Sequence, residues 1–106
     1  MVVVQNYTTN QTGIVQMARI QFVKQSTDAT VFAYRTHISY EADIAVYIVK
    51  NSHEAVGDTK WYLVQNSHEA TSRIYWVEHE WEADLRVYFV KNTYDAEWIS
   101  NKRIKL

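Results

Sequence analysis

The chain reads as a mainly β repeat of the α/β kind: six units of about 13 residues, each a short strand followed by one helical turn. Three observations lead there. An alanine recurs at Ala29, Ala42, Ala55, Ala70, Ala83 and Ala96, spaced 13, 13, 15, 13 and 13 residues apart. Before each alanine comes a β-branched and aromatic run, then polar residues and an acidic one, as in Val46-Tyr47-Ile48-Val49-Lys50-Asn51-Ser52-His53-Glu54-Ala55 and Val87-Tyr88-Phe89-Val90-Lys91-Asn92-Thr93-Tyr94-Asp95-Ala96. Neither glycine nor proline marks most of the links, so a tight two-residue hairpin is not the natural connection. A unit this small cannot bury its own apolar face, so the units must cover one another.

Within each unit the strand alternates with period two. One face carries Ile20 and Phe22, Val46 and Ile48, Trp61 and Leu63, Ile74 and Trp76, Val87 and Phe89; the other carries Tyr47, Val49, Tyr62, Val64, Tyr75, Val77, Tyr88 and Val90. Both faces are apolar enough to need cover, unlike a meander with one wet face. The link then starts on a serine or threonine three residues before the alanine (Ser26, Ser39, Ser52, Ser67, Thr93), which predicts a helix N-cap. The acidic residues before the alanines (Asp28, Glu41, Glu54, Glu69, Glu82, Asp95) complement the positive end of that turn. The alanine is the small residue that lets the turn lie flat on the sheet. Successive units stacked as a β-solenoid would put equivalent residues in ladders; the competing arrangement is an antiparallel β meander.

Two places break the pattern. Val56-Gly57-Asp58-Thr59-Lys60 inserts two residues and holds one of the two glycines, which predicts a bulged turn. In Phe32-Ala33-Tyr34-Arg35-Thr36, Arg35 stands where other units carry a large apolar residue, as expected of an edge strand or a different register. The single domain 1–106 divides into an N-terminal cap (1–19), six repeats (20–98) and a C-terminal cap (99–106). Val2-Val3-Val4 could add a strand, and Lys102, Arg103 and Lys105 could blunt an exposed sheet edge.

Composition bounds the function. A net charge of -1 with 14% aromatic and 22% charged residues argues against disorder and against a general nucleic-acid binder, which carries a basic excess. With no cysteine there is neither a disulfide frame nor a thiolate metal site. No run approaches a membrane span, and the first residues lack the charge and length of a signal peptide; a cytoplasmic protein is expected.

The Tyr-Glu-Ala-Asp (40–43) and Val-Tyr-Phe-Val-Lys-Asn (87–92) elements resemble those of a family of small bacterial and phage repeat proteins over about residues 18 to 98. The first units depart most, since Ser26-Thr27-Asp28-Ala29 lacks the aromatic residue. The resemblance implies a repeat fold and supplies no function.

Chemistry-bearing clusters are few. His53 and His68 fall at the same place in neighbouring units, both within Asn-Ser-His-Glu-Ala; on adjacent rungs they are weak candidates for a metal, against the simpler reading that histidine there replaces Tyr40, Trp81 and Tyr94. Two glycines cannot build a phosphate loop. Carboxylates that recur in every unit do not form the singular constellation that catalysis needs. No cofactor and no catalytic residue is assigned. The tyrosine column (Tyr34, Tyr47, Tyr62, Tyr75, Tyr88), with Val49, Val64, Val77 and Val90, is the candidate interaction surface, because tyrosine combines rigid apolar area with a polar tip. The expected function is a non-enzymatic binding or assembly module, a homodimer through this face with a protein partner; the resemblance leaves room for a phage or bacterial accessory protein acting on a host factor. The alternative is a small metal-dependent or nucleotide-acting enzyme using His53 and His68.

Overall fold

In a computed structural model, residues 17–106 are described; the expected strand at Val2-Val3-Val4 lies outside them. Seven strands form: β1 (Met17–Phe22), β2 (Val31–Arg35), β3 (Ile44–Val49), β4 (Gly57–Leu63), β5 (Ser72–Trp76), β6 (Leu85–Phe89) and β7 (Glu97–Trp98). Between them lie six single 3-10 turns: η1 (Ser26–Asp28), η2 (Ser39–Glu41), η3 (Ser52–Glu54), η4 (Ser67–Glu69), η5 (Glu80–Glu82) and η6 (Thr93–Asp95). The strand-plus-turn unit is therefore as the repeat predicts.

How the units assemble is not. The sheet order is β4-β1-β5-β2-β6-β3, and β3 pairs with β4 to close the ring; all six pairings are parallel. The antiparallel meander is ruled out by these directions. Nor do successive units stack: β1 and β2 are separated by β5, and β2 and β3 by β6. The chain advances two places round the ring per unit, so three strands complete a lap. At the two-residue insertion it advances one place only, from β3 to its neighbour β4. A regular unit there would have put β4 on the place of β1. The bulge at Gly57, whose φ of +84° is left-handed, thus offsets the second lap into the gaps of the first.

Each strand also divides its ladder. Val31–Ala33 of β2 pair with β5 and Ala33–Arg35 with β6; residues 85–87 of β6 pair with β2 and 87–89 with β3. Such stagger goes with strongly tilted strands in a closed barrel. Inside it the period-two face packs as expected: Ile20, Ala33, Ile44, Val46, Trp61, Ile74, Leu85 and Val87 are fully buried. Trp61 stands across the six-strand ring from the small inward residue Ala33, a pairing of large with small that fills a narrow barrel. Its indole N–H donates to the Asp58 carbonyl at 2.7 Å, so the one polar atom of this side chain is satisfied.

The turns are held by a device the repeat only hints at. The residue after each of four alanines replaces a piece of the neighbouring ladder. Its backbone N–H donates to a carbonyl of the next strand, and its side chain accepts that same residue's N–H. Thr30 does this with Arg73, Asp43 with Arg86, Thr71 with Arg19 and Asp84 with Phe32. The serines do not cap. The residue before them (Gln25, Ile38, Asn51, Asn66) is the N-cap, as Asn92 is before Thr93, and the alanine N–H closes onto the serine or threonine carbonyl. Among the acidic residues, Glu54 accepts from the Asn51 backbone N–H. Ala42 and Ala55 are buried beneath their turns; Ala29, Ala70, Ala83 and Ala96 are half-buried.

Candidate binding site

The barrel has two mouths. At the end where the strands begin, the segment after β7 folds back over the opening. The Ser72 hydroxyl donates to the Leu106 carbonyl at 2.8 Å, the Leu106 N–H donates to Asp58 Oδ1 at 2.9 Å, and Leu106 lies in the core. Asp43 anchors the same segment. Its carboxylate accepts from the Arg86 backbone N–H (2.8 Å) and the Ser100 hydroxyl (2.9 Å), with Arg86 and Lys102 each 3.6 Å away. Burial pushes its pKa up, but the Arg86 N–H, the Ser100 hydroxyl and the charges of Lys102 and Arg86 outweigh that and leave it below the usual 3.8. Arg103 lies over the Trp98 ring at 5.3 Å. The basic tail therefore closes a mouth; it does not fringe an open edge, because the ring of six strands has none.

At the other mouth the last inward residue of each strand forms a rim: Phe22, Leu63, Ile48, Phe89, Arg35 and Trp76. Trp76 meets Phe22 edge-on (5.3 Å, 72°) and Phe89 at 5.8 Å and 60°. Below them Trp61 meets Phe22 (6.4 Å, 68°) and Phe89 (6.0 Å, 86°). The Arg35 guanidinium lies 5.1 Å from the Phe89 ring centroid. A cavity of about 300 Å³ opens here, lined by Phe22, Arg35, Trp76, Val77 and Phe89. The sequence singles Arg35 out correctly, but its explanation is different: β2 is paired on both sides and in the common inward register. The arginine sits at an open mouth, where its charge stays in water.

Apart from η3, which joins the neighbouring strands β3 and β4, each turn crosses the strand lying between the one before it and the one after it, so the turns follow the strand order. The Arg19 Nε–H to the Glu69 carbonyl ties η4 to β1, and the Arg73 Nε–H to the Asp28 carbonyl ties η1 to β5. The order round the barrel places η5, η2 and η6 side by side. Their central residues Trp81, Tyr40 and Tyr94 are 78%, 80% and 82% exposed. His79 stacks flat on Trp81 at 4.3 Å. The remaining turns carry Thr27, His53 and His68, all exposed. Among the described residues no three histidine, aspartate or glutamate side chains gather as a metal site, so His53 and His68 have no such company there.

Tyr34, Tyr47, Tyr62, Tyr75 and Tyr88 are half-buried on the outside of the barrel; Val49 is buried, and Val64, Val77 and Val90 are half-buried. Sequence reasoning passed over Tyr40, Trp81 and Tyr94, seen only as alternatives to histidine. Their signal is a large aromatic residue in the middle of a polar turn that has no core to enter.

No helix among the described residues is long and apolar enough to cross a membrane. No curated protein matches the chain, and no solved structure does. A family model does match, described as the 7(1) septoil knot domain and covering residues 6–99. Two interleaved laps closed into one barrel are the repeat-built architecture found here, and the chain belongs to the septoil knot domain family.

Proposed function

We propose that this domain is a non-catalytic binding and assembly module that forms a homodimer through the side of the barrel bearing Tyr40, Trp81 and Tyr94. The observation that carries the reading is their exposure, near 80% each, on three adjacent turns. Large aromatic residues grouped on a surface are characteristic of protein interfaces, and His79 stacked on Trp81 holds the indole in one orientation, which lowers the entropy cost of docking. Of the half-buried strand tyrosines, Tyr34, Tyr88 and Tyr47 belong to the strands of this same side, β2, β6 and β3. A two-fold contact is the commonest way to cover such a patch, and it needs roughly 800 Å² from each copy, a modest part of the 6525 Å² this chain exposes.

Sedimentation velocity tests the reading. The unmodified protein is expected as a dimer, and the triple variant Tyr40→Ser, Trp81→Ser, Tyr94→Ser as a monomer with an unchanged unfolding midpoint, since none of the three enters the core. An unmodified protein that sediments as a monomer at about 100 μM, well above the affinity expected of a standard-size interface, overturns it.

A further inference from the structure

We propose that the open mouth of the barrel binds a small aromatic carboxylate, with its ring between Phe22, Trp76 and Phe89 and its carboxylate on Arg35. This site is separate from the aromatic turns and does not depend on the dimer. Five of the six strands end their inward face on an apolar residue, and the sixth ends on an arginine. That one cation makes no hydrogen bond and no ion pair with any described residue. Its guanidinium lies over Phe89, 5.1 Å from the ring centroid, a contact that uses none of its N–H donors and leaves them for a two-pronged carboxylate contact.

The walls suit a flat ring. Trp76 meets Phe22 at 72° and Phe89 at 60°, so a ring entering this mouth finds both faces and edges to pack against. Trp61, fully buried beneath, keeps the floor apolar and dry. A cavity of about 300 Å³ is at the small end of ligand sites and holds one or two rings, not a nucleotide. An aliphatic acid would leave the aromatic walls unused, and a neutral ring would leave the arginine unpaired. The combination selects a molecule with both.

Phenylacetate and its neutral isostere phenylacetamide test the site on the full chain, read by the nuclear magnetic resonance signals of the Trp76 indole N–H and the Val77 amide. Phenylacetate is expected to shift both in a saturable way and to bind roughly 10- to 100-fold more tightly than the amide, the range for a charge-assisted hydrogen-bonded pair. Arg35→Gln is expected to abolish that difference while leaving weak amide binding in place; Arg35→Lys, keeping a point charge without the planar fork, is expected to fall between. Equal binding of acid and amide to the unmodified protein overturns the proposal, as does the absence of a saturable shift at these two groups up to ~10 mM ligand. Because the acid–amide comparison uses the unmodified chain, it stands whether or not the variants fold.

Discussion

At one end of the barrel Leu106 is drawn into the interior, its backbone held by Ser72 and Asp58; at the other, Phe22 and Leu63 remain 40% exposed on the rim that also carries Arg35. The same six strands, with the same inward alternation, supply both ends. What distinguishes them is not the repeat. One mouth is covered by a segment that follows the last unit, tied down through Asp43, Ser100 and Lys102; no described residue does the same for the other. A repeat fixes the wall of a barrel, and the residues that depart from it decide whether an end is core or site.

Substitutions sharpen that contrast in order of their expected cost. Trp61 belongs to both halves of the interior, under the open rim and bonded to Asp58 at the start of β4 near the closed end. Trp61→Ala is expected to cost about 3–5 kcal/mol in urea unfolding, the range for a large aromatic deletion in a packed core. Loss below ~1 kcal/mol would mean that the two ends are not joined through this side chain. At the closed mouth, Asp43→Ala is expected to cost about 2 kcal/mol, since it strands the buried Arg86 N–H and the Ser100 hydroxyl while the half-exposed Arg86 and Lys102 return to water. Its carboxyl binds a proton less readily folded than unfolded, so its contribution is fully present above the ordinary aspartate range and fades as the pH falls through the lowered value. Stability of the unmodified protein should therefore decline below about pH 4 more steeply than that of the alanine variant. At the open mouth, Phe22→Ser is expected to cost under ~1.5 kcal/mol, since only part of the side chain is removed from water. A cost as large as that of Trp61→Ala would show that this rim is as much a part of the core as the closed end.

The wall was legible in the sequence and the ring was not. Ile20, Val46, Trp61, Ile74 and Val87 alternate with outward tyrosines and basic residues such as Arg19, Lys60, Arg73 and Arg86, and period two alone assigns their faces. Which strand lies beside which is a matter of contacts far apart in the chain: Ile20 faces Leu63, Val31 faces Ile74 and Ile44 faces Val87, each partner 43 residues on. No local pattern carries that distance. The 15-residue spacing did carry it in part, read as a bulge when its effect is to shift the winding by one place. Asp43 and Asp84 are visible in the sequence as acids that follow their alanines; that they, and Thr30 and Thr71 at the equivalent positions, each substitute for a ladder hydrogen bond requires knowing the neighbouring strand. Arg35 was visible as an exception. Its setting, between Trp76 and Phe89, was not, because those rings come from the other lap.

The offset at Gly57 has a consequence for the chain cut in two. β1, β2 and β3 never pair with one another, and neither do β4, β5 and β6; every ladder in the closed ring joins a strand before the insertion to one after it. A fragment ending near residue 50 and one beginning near residue 57 would each consist of strands whose hydrogen-bonding edges have no partner of their own. Neither can build half of this barrel first and wait for the rest. The smallest foldable piece is the whole, reached by reassociation of the two fragments or not at all.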